Sequence, residues 1–318
     1  MAELTLALGR GAAWLGVTLL LASFLVYALT VVVPGDPALA VFRARFGDAA
    51  PPLAEQIEAI RREARFDRPL VEQYAVWLAG AVTGDLGQSF TRKRPVWSLV
   101  AERLPVTLTL TLGALLLALV LAIPAGIVFA RQGWWTRAGL GATQLGISTP
   151  DYFLALVLML VLAVHLRLFP VAGWGTPAAF VLPAATLAFR PWSTFTRLIM
   201  AGLDQAMRSD WARTGRAKGL DERTLLLRHA LPHTLLPVVA LVGVAASGAL
   251  GAGLVAEVIF AIPGLGRLLY EAIGERDIPL IQGCLLVQVS LAVTANAAAD
   301  AAMRWLNPTL RRNRGAVG

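Results

Sequence analysis

The sequence predicts an all-α integral membrane protein with about six transmembrane helices. Hydrophobic residues make up 57% of the 318 residues and charged residues only 15%, whereas a soluble domain is about 25% charged. The mean hydropathy is +0.66, and the apolar residues gather in runs of roughly 20, the length that crosses the hydrocarbon core of a bilayer. A soluble protein with a large core is therefore excluded.

The net charge of +8 does not indicate binding to nucleic acid. The basic residues lie mainly in the connections between apolar runs, where they orient a membrane protein and face anionic lipid. The sequence therefore predicts the lipid bilayer as a partner and no nucleic acid.

The predicted spans divide the chain into four parts. Residues 1–33 hold the first span, from about residue 12. Its apolar run exceeds the roughly 7–15 residues of a signal peptide, so we expect a retained helix, although residues 38–40 resemble a cleavage site. A helical loop region follows at 34–104. The core, 105–305, holds the remaining spans, and 306–318 form the tail. The core spans are 106–130, 138–165, 179–201, 234–256 and 283–303.

The basic residues of the short connections predict the orientation. One set of connections and the tail carries Arg131, Arg137, Arg208, Arg213, Arg216, Lys218, Arg223, Arg228, Arg304, Arg311, Arg312 and Arg314. The opposite connections carry only Arg167, Arg267 and Arg276. The positive-inside rule then places both termini in the cytoplasm and the region 34–104 outside. That region is also basic, but long loops translocate largely regardless of charge.

The region 34–104 has two helical patterns. Residues 54–65 are predicted to form one short helix. In the segment 70–81, Leu70, Tyr74, Leu78 and Ala81 recur at helical spacing and predict a second helix. The second helix either lies on the outer membrane surface or packs against the spans. Residues 84–87 form a turn.

The segment 202–232 predicts two short helices below the membrane. Ser209 and Asp210 can cap a helix that reaches Lys218 and stops at Gly219, and Asp221 can cap the next one. Such a projection suits docking to a partner subunit, and an amphipathic loop resting on lipid headgroups is an equal alternative on spacing alone.

Several motifs occur in one order along the chain. Residues 207–220 and 228–232 resemble the coupling segment of the permeases of binding-protein-dependent ABC importers, most closely the dipeptide/oligopeptide/nickel branch. The other matching segments are 34–38, 66–70, 73–74, 77–78, 84–90, 103–108, 257–260, 263–269, Asp300 and 307–308. The chain looks like the first of the two related permeases of that branch. Gly215, in place of the usual alanine, departs from the pattern.

The resemblance implies a type I ABC importer permease fold in the bacterial inner membrane. It implies a periplasmic binding protein, two ATPase subunits that bind ATP and Mg, and a second homologous permease, with a heterodimer favoured over a homodimer. The residues carried over as ATPase contacts are Asp210, Arg213, Thr214, Gly215, Lys218, Gly219 and Leu220. The cargo would be dipeptides, oligopeptides or a related solute such as a nickel complex or a glutathione-like peptide. The sequence leaves the choice among these solutes open.

Two ionisable residues fall inside predicted spans. Asp151 follows Pro150 in the third span, and Arg190 precedes Pro191 in the fourth. Ionisable groups at that depth usually face a cavity or each other. We expect an ion pair, and two roles stay open: fixing helix packing, or lining the translocation path, where Asp151 would meet a peptide ammonium group.

No motif predicts catalysis, a bound metal or a bound cofactor. His229 and His233 have the spacing of a helical metal pair but lack a third ligand. Residues 141–148 imitate a phosphate loop but lack its lysine. We therefore expect a non-catalytic subunit, with ATP bound by partners. Two rival classes are a membrane enzyme, which needs a catalytic cluster, and a secondary transporter, which needs an internal inverted repeat.

Overall fold

A computed structural model of the chain describes residues 2–32, 36–47, 53–63, 66–131 and 133–306. The predicted motif residues Pro34, Gly35, Asn307 and Pro308, and the tail beyond residue 306, lie outside these ranges. The helices are α1 (Ala2–Val32), α2 (Pro37–Phe46), α3 (Ala54–Glu63), α4 (Leu70–Val82), α5 (Val96–Phe129), α6 (Trp134–Ser148), α7 (Asp151–Leu158), α8 (Pro177–Met207), α9 (Asp210–Ala217), α10 (Glu222–Thr224), α11 (Leu231–Ile259), α12 (Leu265–Glu275) and α13 (Ile278–Leu306).

Among the described residues, three helical segments are long and apolar enough to cross a bilayer alone. They are Val96–Phe129, Glu222–Ile259 and Ile278–Met303. The second is continuous because a π-helical stretch, Leu225–Ala230, joins α10 to α11. The other predicted spans correspond to α1, whose apolar part is Ala13–Ala28, to the broken pair α6 and α7, and to α8, which carries arginines.

The predicted third span, 138–165, is two helices and not one. Helix α6 ends at Ser148, Thr149 is extended, and α7 begins at Asp151 and continues as a π-helical stretch, Met159–His165. The angle between the segments Trp134–Ser148 and Asp151–His165 is 104°. Pro150 explains the break, because a proline removes a backbone donor and drives the preceding residue out of the helical region. Asp151 therefore starts a helix instead of lying midway along one.

Further boundaries differ from the prediction. Helix α5 begins at Val96, so residues 96–104, predicted as loop, form its first turns. Helix α8 continues to Met207, so part of the segment 202–232 prolongs the fourth predicted span. The prediction of a separate second short helix in that segment is wrong, because Glu222 begins the continuous segment that runs to Ile259.

The described chain divides into two compact units. One comprises the described residues up to Thr107 together with Pro263–Val293, and the other comprises the described residues between Leu108 and Ile262 and from Thr294 to Leu306.

In the first unit, α4 packs on α1. The hydroxyl groups of Tyr74 and Ser23 lie 2.8 Å apart, and the ring of Phe24 meets that of Tyr74 edge-on at 5.1 Å. The sequence left two alternatives for this helix, a position on the outer membrane surface and packing against the spans. These direct contacts favour packing against the first span. Helices α2 and α3 meet around a small apolar cluster that includes Phe42 and Ile60.

Asp277 is the central polar residue of the first unit. It is fully buried, and its carboxylate accepts hydrogen bonds from the Ser89 hydroxyl at 2.5 Å and from the amides of Phe90, Thr91 and Leu280 at 3.2, 3.1 and 3.3 Å. One carboxylate thus caps the start of α13 and holds the loop that follows residues 84–87.

Candidate functional site: the coupling segment and a polar seam

Helix α9 forms the coupling segment together with the residues that follow it. The helix runs from Asp210 to Ala217 after Ser209, as the capping pattern predicts. Ser209 does not cap through its side chain, since its hydroxyl donates back to the carbonyl of Ala206 at 2.6 Å. The link to α8 is therefore short and internally bonded.

Gly219 closes α9 in a Schellman motif. Its φ is +86°, which only glycine adopts without strain. The amide of Leu220 donates to the carbonyl of Gly215 at 3.1 Å, and the amide of Gly219 donates to that of Arg216 at 2.9 Å. These two bonds define the motif, and the helix stop predicted at Gly219 is present.

Asp221 begins the next helical turn, as predicted. Its carboxylate accepts from the amide of Thr224 at 3.2 Å. Hydrogen bonds from Thr224 hold the pKa of Asp221 below its ordinary value. The carboxylate therefore remains ionised as a helix cap.

Gly215 is buried against the residue that starts the π-helical stretch. A Cβ atom at this position would lie 2.6 Å from Cδ2 of Leu225 and 3.6 Å from Cδ1 of Leu220. Leu225 itself is 1% exposed. The departure from alanine therefore has a packing reason, because glycine lets Leu225 sit directly on the coupling helix.

Arg216 holds the segment to two other elements, a structural role that the sequence did not predict. It donates to the carboxylate of Glu222 at 2.5 Å and to the carbonyl of Met207, the last residue of α8, at 3.1 Å. A signal was available, since Arg216 and Glu222 flank the turn at Gly219 with opposite charges.

The opposite face of α9 is exposed. The side chain of Asp210 is 98% exposed and that of Arg213 is 82% exposed, with 3.9 Å between their charged groups. Thr214 and Lys218 are also exposed, and Leu220 is 40% exposed. The predicted contact residues thus lie on a surface that a partner can reach, except Gly215, which faces inward.

The structure brings Asp151 and Arg190 together beside the break between α6 and α7. Arg190 Nε lies 3.5 Å from Asp151 Oδ1, and a terminal nitrogen of Arg190 donates to the carbonyl of Thr149 at 3.4 Å. Arg190 therefore contacts both the Asp151 carboxylate and the carbonyl of Thr149, which the helix break leaves without a helical partner.

A second arginine lies on the same side of α8. Arg197 donates to Oε1 of Gln144 at 3.0 Å, and Nε2 of Gln144 donates to the hydroxyl of Ser148 at 3.0 Å. Sequence reasoning missed both Arg197 and Gln144. The spacing of Arg197 seven residues after Arg190, two helical turns, was the available signal.

Comparisons with known proteins agree with this architecture. The chain matches the family of binding-protein-dependent transport system inner membrane components over residues 101–312 and the N-terminal part of such components over residues 8–111. It is 36% identical over 307 residues to a peptide transport system permease protein of Brucella abortus (strain 2308), with 92% of this chain and 95% of that one covered.

Two other similar proteins extend this comparison. The chain is 33% identical over 296 residues to the glutathione transport system permease protein of Escherichia coli (strain K12), which covers 92% and 95% of the two chains. A solved structure of the MetNI methionine ABC transporter in inward-facing conformations matches with a TM-score of 0.55 at 19% identity, over 66% of this chain and 96% of that one. That likeness shows the shared fold.

Apolar helices with the short helix α9 between two of them define the permease class of ABC importers, with the type I fold. The chain belongs to the family of inner membrane components of binding-protein-dependent transport systems. It is a multi-pass, non-catalytic subunit that binds no cofactor itself and works with ATPase and binding-protein partners. The expected fold class and transport role are confirmed.

Proposed function

We propose that this chain forms half of the translocation pathway for a peptide, for glutathione or for a related solute such as a nickel complex. The support is that its relatives are named for peptide transport and for glutathione transport. A second, homologous permease forms the other half. A heterodimer is the favoured arrangement, and a homodimer is the alternative outcome.

The coupling segment transmits ATP-driven movement to the spans. Asp210, Arg213, Thr214, Gly215, Lys218, Gly219 and Leu220 form the part that docks to one of two ATPase subunits. The observation that carries this role is the combination of an exposed polar face with rigid attachment. Arg216 ties α9 to the end of α8, and Leu225 packs it against the start of the next span. A push on α9 therefore moves both spans.

The orientation follows from the distribution of positive charge. We place both termini and α9 in the cytoplasm and the region 34–104 in the periplasm, where the binding protein delivers its solute. Asp151 and Arg190 lie beside the pathway as an ion pair, because irregular backbone such as the break at Pro150 is tolerated in a membrane where protein or a water-filled cavity surrounds it.

Charge reversal tests the coupling role. Arg213→Glu in the complete transporter, with its ATPases, second permease and binding protein in proteoliposomes, should strongly reduce ATP-dependent uptake of a labelled peptide and the amount of ATPase that co-purifies. Arg62→Glu is the matched control, because Arg62 on α3 is 71% exposed and lies outside the segment. Normal coupling in Arg213→Glu, or uptake without ATP or the binding protein, would contradict the proposal.

A further inference from the structure

The exposed residues in the middle of helix α8 are charged. Between residues 182 and 200 of this helix, the only exposed residues are Arg190 and Arg197, whereas Val181 and Ala201, just outside this stretch, are exposed and apolar. Thr194 lies between the two arginines at helical spacing, so that the three residues share one face. This face cannot lie against lipid, because ionised side chains in hydrocarbon are too costly unless they face protein or water.

Helix α6 completes this polar face. Gln144 and Ser148, four residues apart and both exposed, lie on the side of α6 that meets the arginines. We call Gln144, Ser148, Arg190, Thr194 and Arg197 the polar seam. Thr143 and Gly146 beside this face are buried, and Gly146 packs on Ser193 of α8, which fixes how the helix presents Gln144 to Arg197.

The two arginines of the polar seam differ in their partners. Arg190 has the carboxylate of Asp151 at 3.5 Å. Arg197 has the neutral amide oxygen of Gln144, and in the described parts of the chain it forms no ion pair with a carboxylate. A guanidinium group carries five N–H donors, so Arg197 keeps both its positive charge and donors for another acceptor.

Gln144 also fixes the orientation of Arg197. Its amide nitrogen donates to Ser148, so its oxygen points to the guanidinium group. An arginine held in this way on a rigid helix presents a planar pair of donors, the geometry that binds a carboxylate with two hydrogen bonds.

We propose that Arg197, oriented by Gln144, binds the carboxylate group of the cargo as it passes through the permease. This inference rests on the proposed function, because peptides and glutathione carry at least one carboxylate. It assigns to this chain a selectivity for anionic groups in addition to the recognition that the binding protein provides.

The test compares a tripeptide with its C-terminal amide as cargo of the complete transporter in proteoliposomes, at saturating binding protein. The ratio of acid uptake to amide uptake is compared between permease variants, so that any preference of the binding protein cancels. The wild type should favour the acid. Arg197→Gln should lower the ratio several-fold, and Arg197→Lys should restore part of it.

Two further variants test the carboxylate site even if Arg197→Gln assembles poorly. Gln144→Glu leaves the arginine in place but gives it a carboxylate partner, and it should also lower the ratio. Arg190→Gln removes the neighbouring cation, and it should change the ratio less than Arg197→Gln does.

Each contrary outcome has a distinct meaning. A ratio of acid uptake to amide uptake that is unchanged in Arg197→Gln overturns the carboxylate site. Loss of the second permease from purified Arg197→Gln, with a normal ratio in Gln144→Glu, overturns it in favour of a contact between permeases. Absence of uptake of either peptide by the wild type instead rejects the peptide cargo of the proposed function.

Discussion

The hydroxyl oxygen of Ser193 occupies the space that a Cβ atom at Gly146 would need. The same hydroxyl donates to the carbonyl of Phe189 at 2.9 Å, so it is held in place. Helix α6 therefore lies close to α8, with only the small side chain of Ser193 between them at this level. This close approach sets Gln144 beside Arg197 and Thr149 beside Arg190.

Replacement of Gly146 tests how strongly the permease depends on that approach. Gly146→Ala should destabilise the protein by about 1–3 kcal/mol, the usual effect of overpacking, and should lower uptake, because α6 must move away from α8. Gly141→Ala is the matched control on the same helix, since no atom lies within 4 Å of the added Cβ. Thermal unfolding of the purified complex measures the difference, and equal behaviour of the two variants would contradict the prediction.

A compensating change can confirm the cause. Combining Gly146→Ala with Ser193→Gly removes the two atoms nearest to the new Cβ and leaves the Phe189 carbonyl oxygen at 3.3 Å, so that much of the lost stability should return. If the double variant is as unstable as the sum of the single variants, the contact is not responsible.

The pair of Asp151 and Arg190 gives a second prediction. Asp151→Asn and Arg190→Gln should each lower stability and uptake, because each leaves one ionised group without its partner. The double variant should be less impaired than the two single effects predict together. Purified yield, thermal unfolding and uptake are the measurements. Strict additivity would mean that the 3.5 Å separation carries no interaction energy.

The coupling segment shows what sequence can predict. Its signals are local: a glycine that ends a helix, and Ser209 and Asp221, which start the helices on either side of it. The break at Pro150 was not predictable in the same way. Pro183, Pro191 and Pro237 lie inside continuous helices, so a proline alone does not say where a membrane helix ends.

The contacts that build the polar seam are less visible in the sequence. Gln144 and Arg197 are 53 residues apart, and their hydrogen bond depends on how α6 packs against α8. Arg216 is one of many arginines in its segment, and only the fold shows that it reaches Met207. Pairing of this kind arises from tertiary packing, and no local pattern specifies it.

Gly219 and Gly215 are glycines for different physical reasons. Gly219 adopts a positive φ, and Gly215 leaves the space that Leu225 fills. Gly219→Ala should destabilise the turn by about 1–2 kcal/mol, because a residue with a Cβ atom strains at positive φ. Gly215→Ala should have a smaller net effect, since its higher helix propensity, worth about 1 kcal/mol, offsets the displacement of Leu225. The measurement is the stimulation of ATPase activity by the binding protein, which should fall more in Gly219→Ala. The reverse order would show that the packing of Leu225 outweighs the turn.

The buried carboxylate of Asp277 gives a fourth prediction. Asp277→Asn keeps the shape of the side chain but leaves one acceptor oxygen for four donors, so the unfolding free energy should fall by on the order of 3 kcal/mol. Ser89→Ala removes one donor and leaves the three amide bonds to Asp277, but it also removes the acceptor of the Arg92 amide, 3.0 Å away, so it should lower that free energy by about 1–2 kcal/mol. Thermal unfolding of the complex compares the two. A tolerated Asp277→Asn would mean that water or movement of the loop satisfies the freed amides.

Glu271 makes the first unit sensitive to acid. Partial burial opposes its ionisation, but hydrogen bonds from Arg92 and Arg267 outweigh this and hold the pKa of Glu271 below its ordinary value. A carboxyl whose pKa is lowered by folding stabilises the protein above its unfolded pKa, about 4.3 for glutamate. That contribution is lost as the pH falls through the lower, folded pKa.

The apparent unfolding temperature should therefore decrease below about pH 5 more steeply in the wild type than in Glu271→Gln. Arg92→Gln should also flatten the curve, because it removes the donor that lies 2.8 Å from the carboxylate. At neutral pH both variants should be less stable than the wild type, since the ionised form is the one that the arginines stabilise. Parallel curves for all three proteins would show that another group titrates in this range.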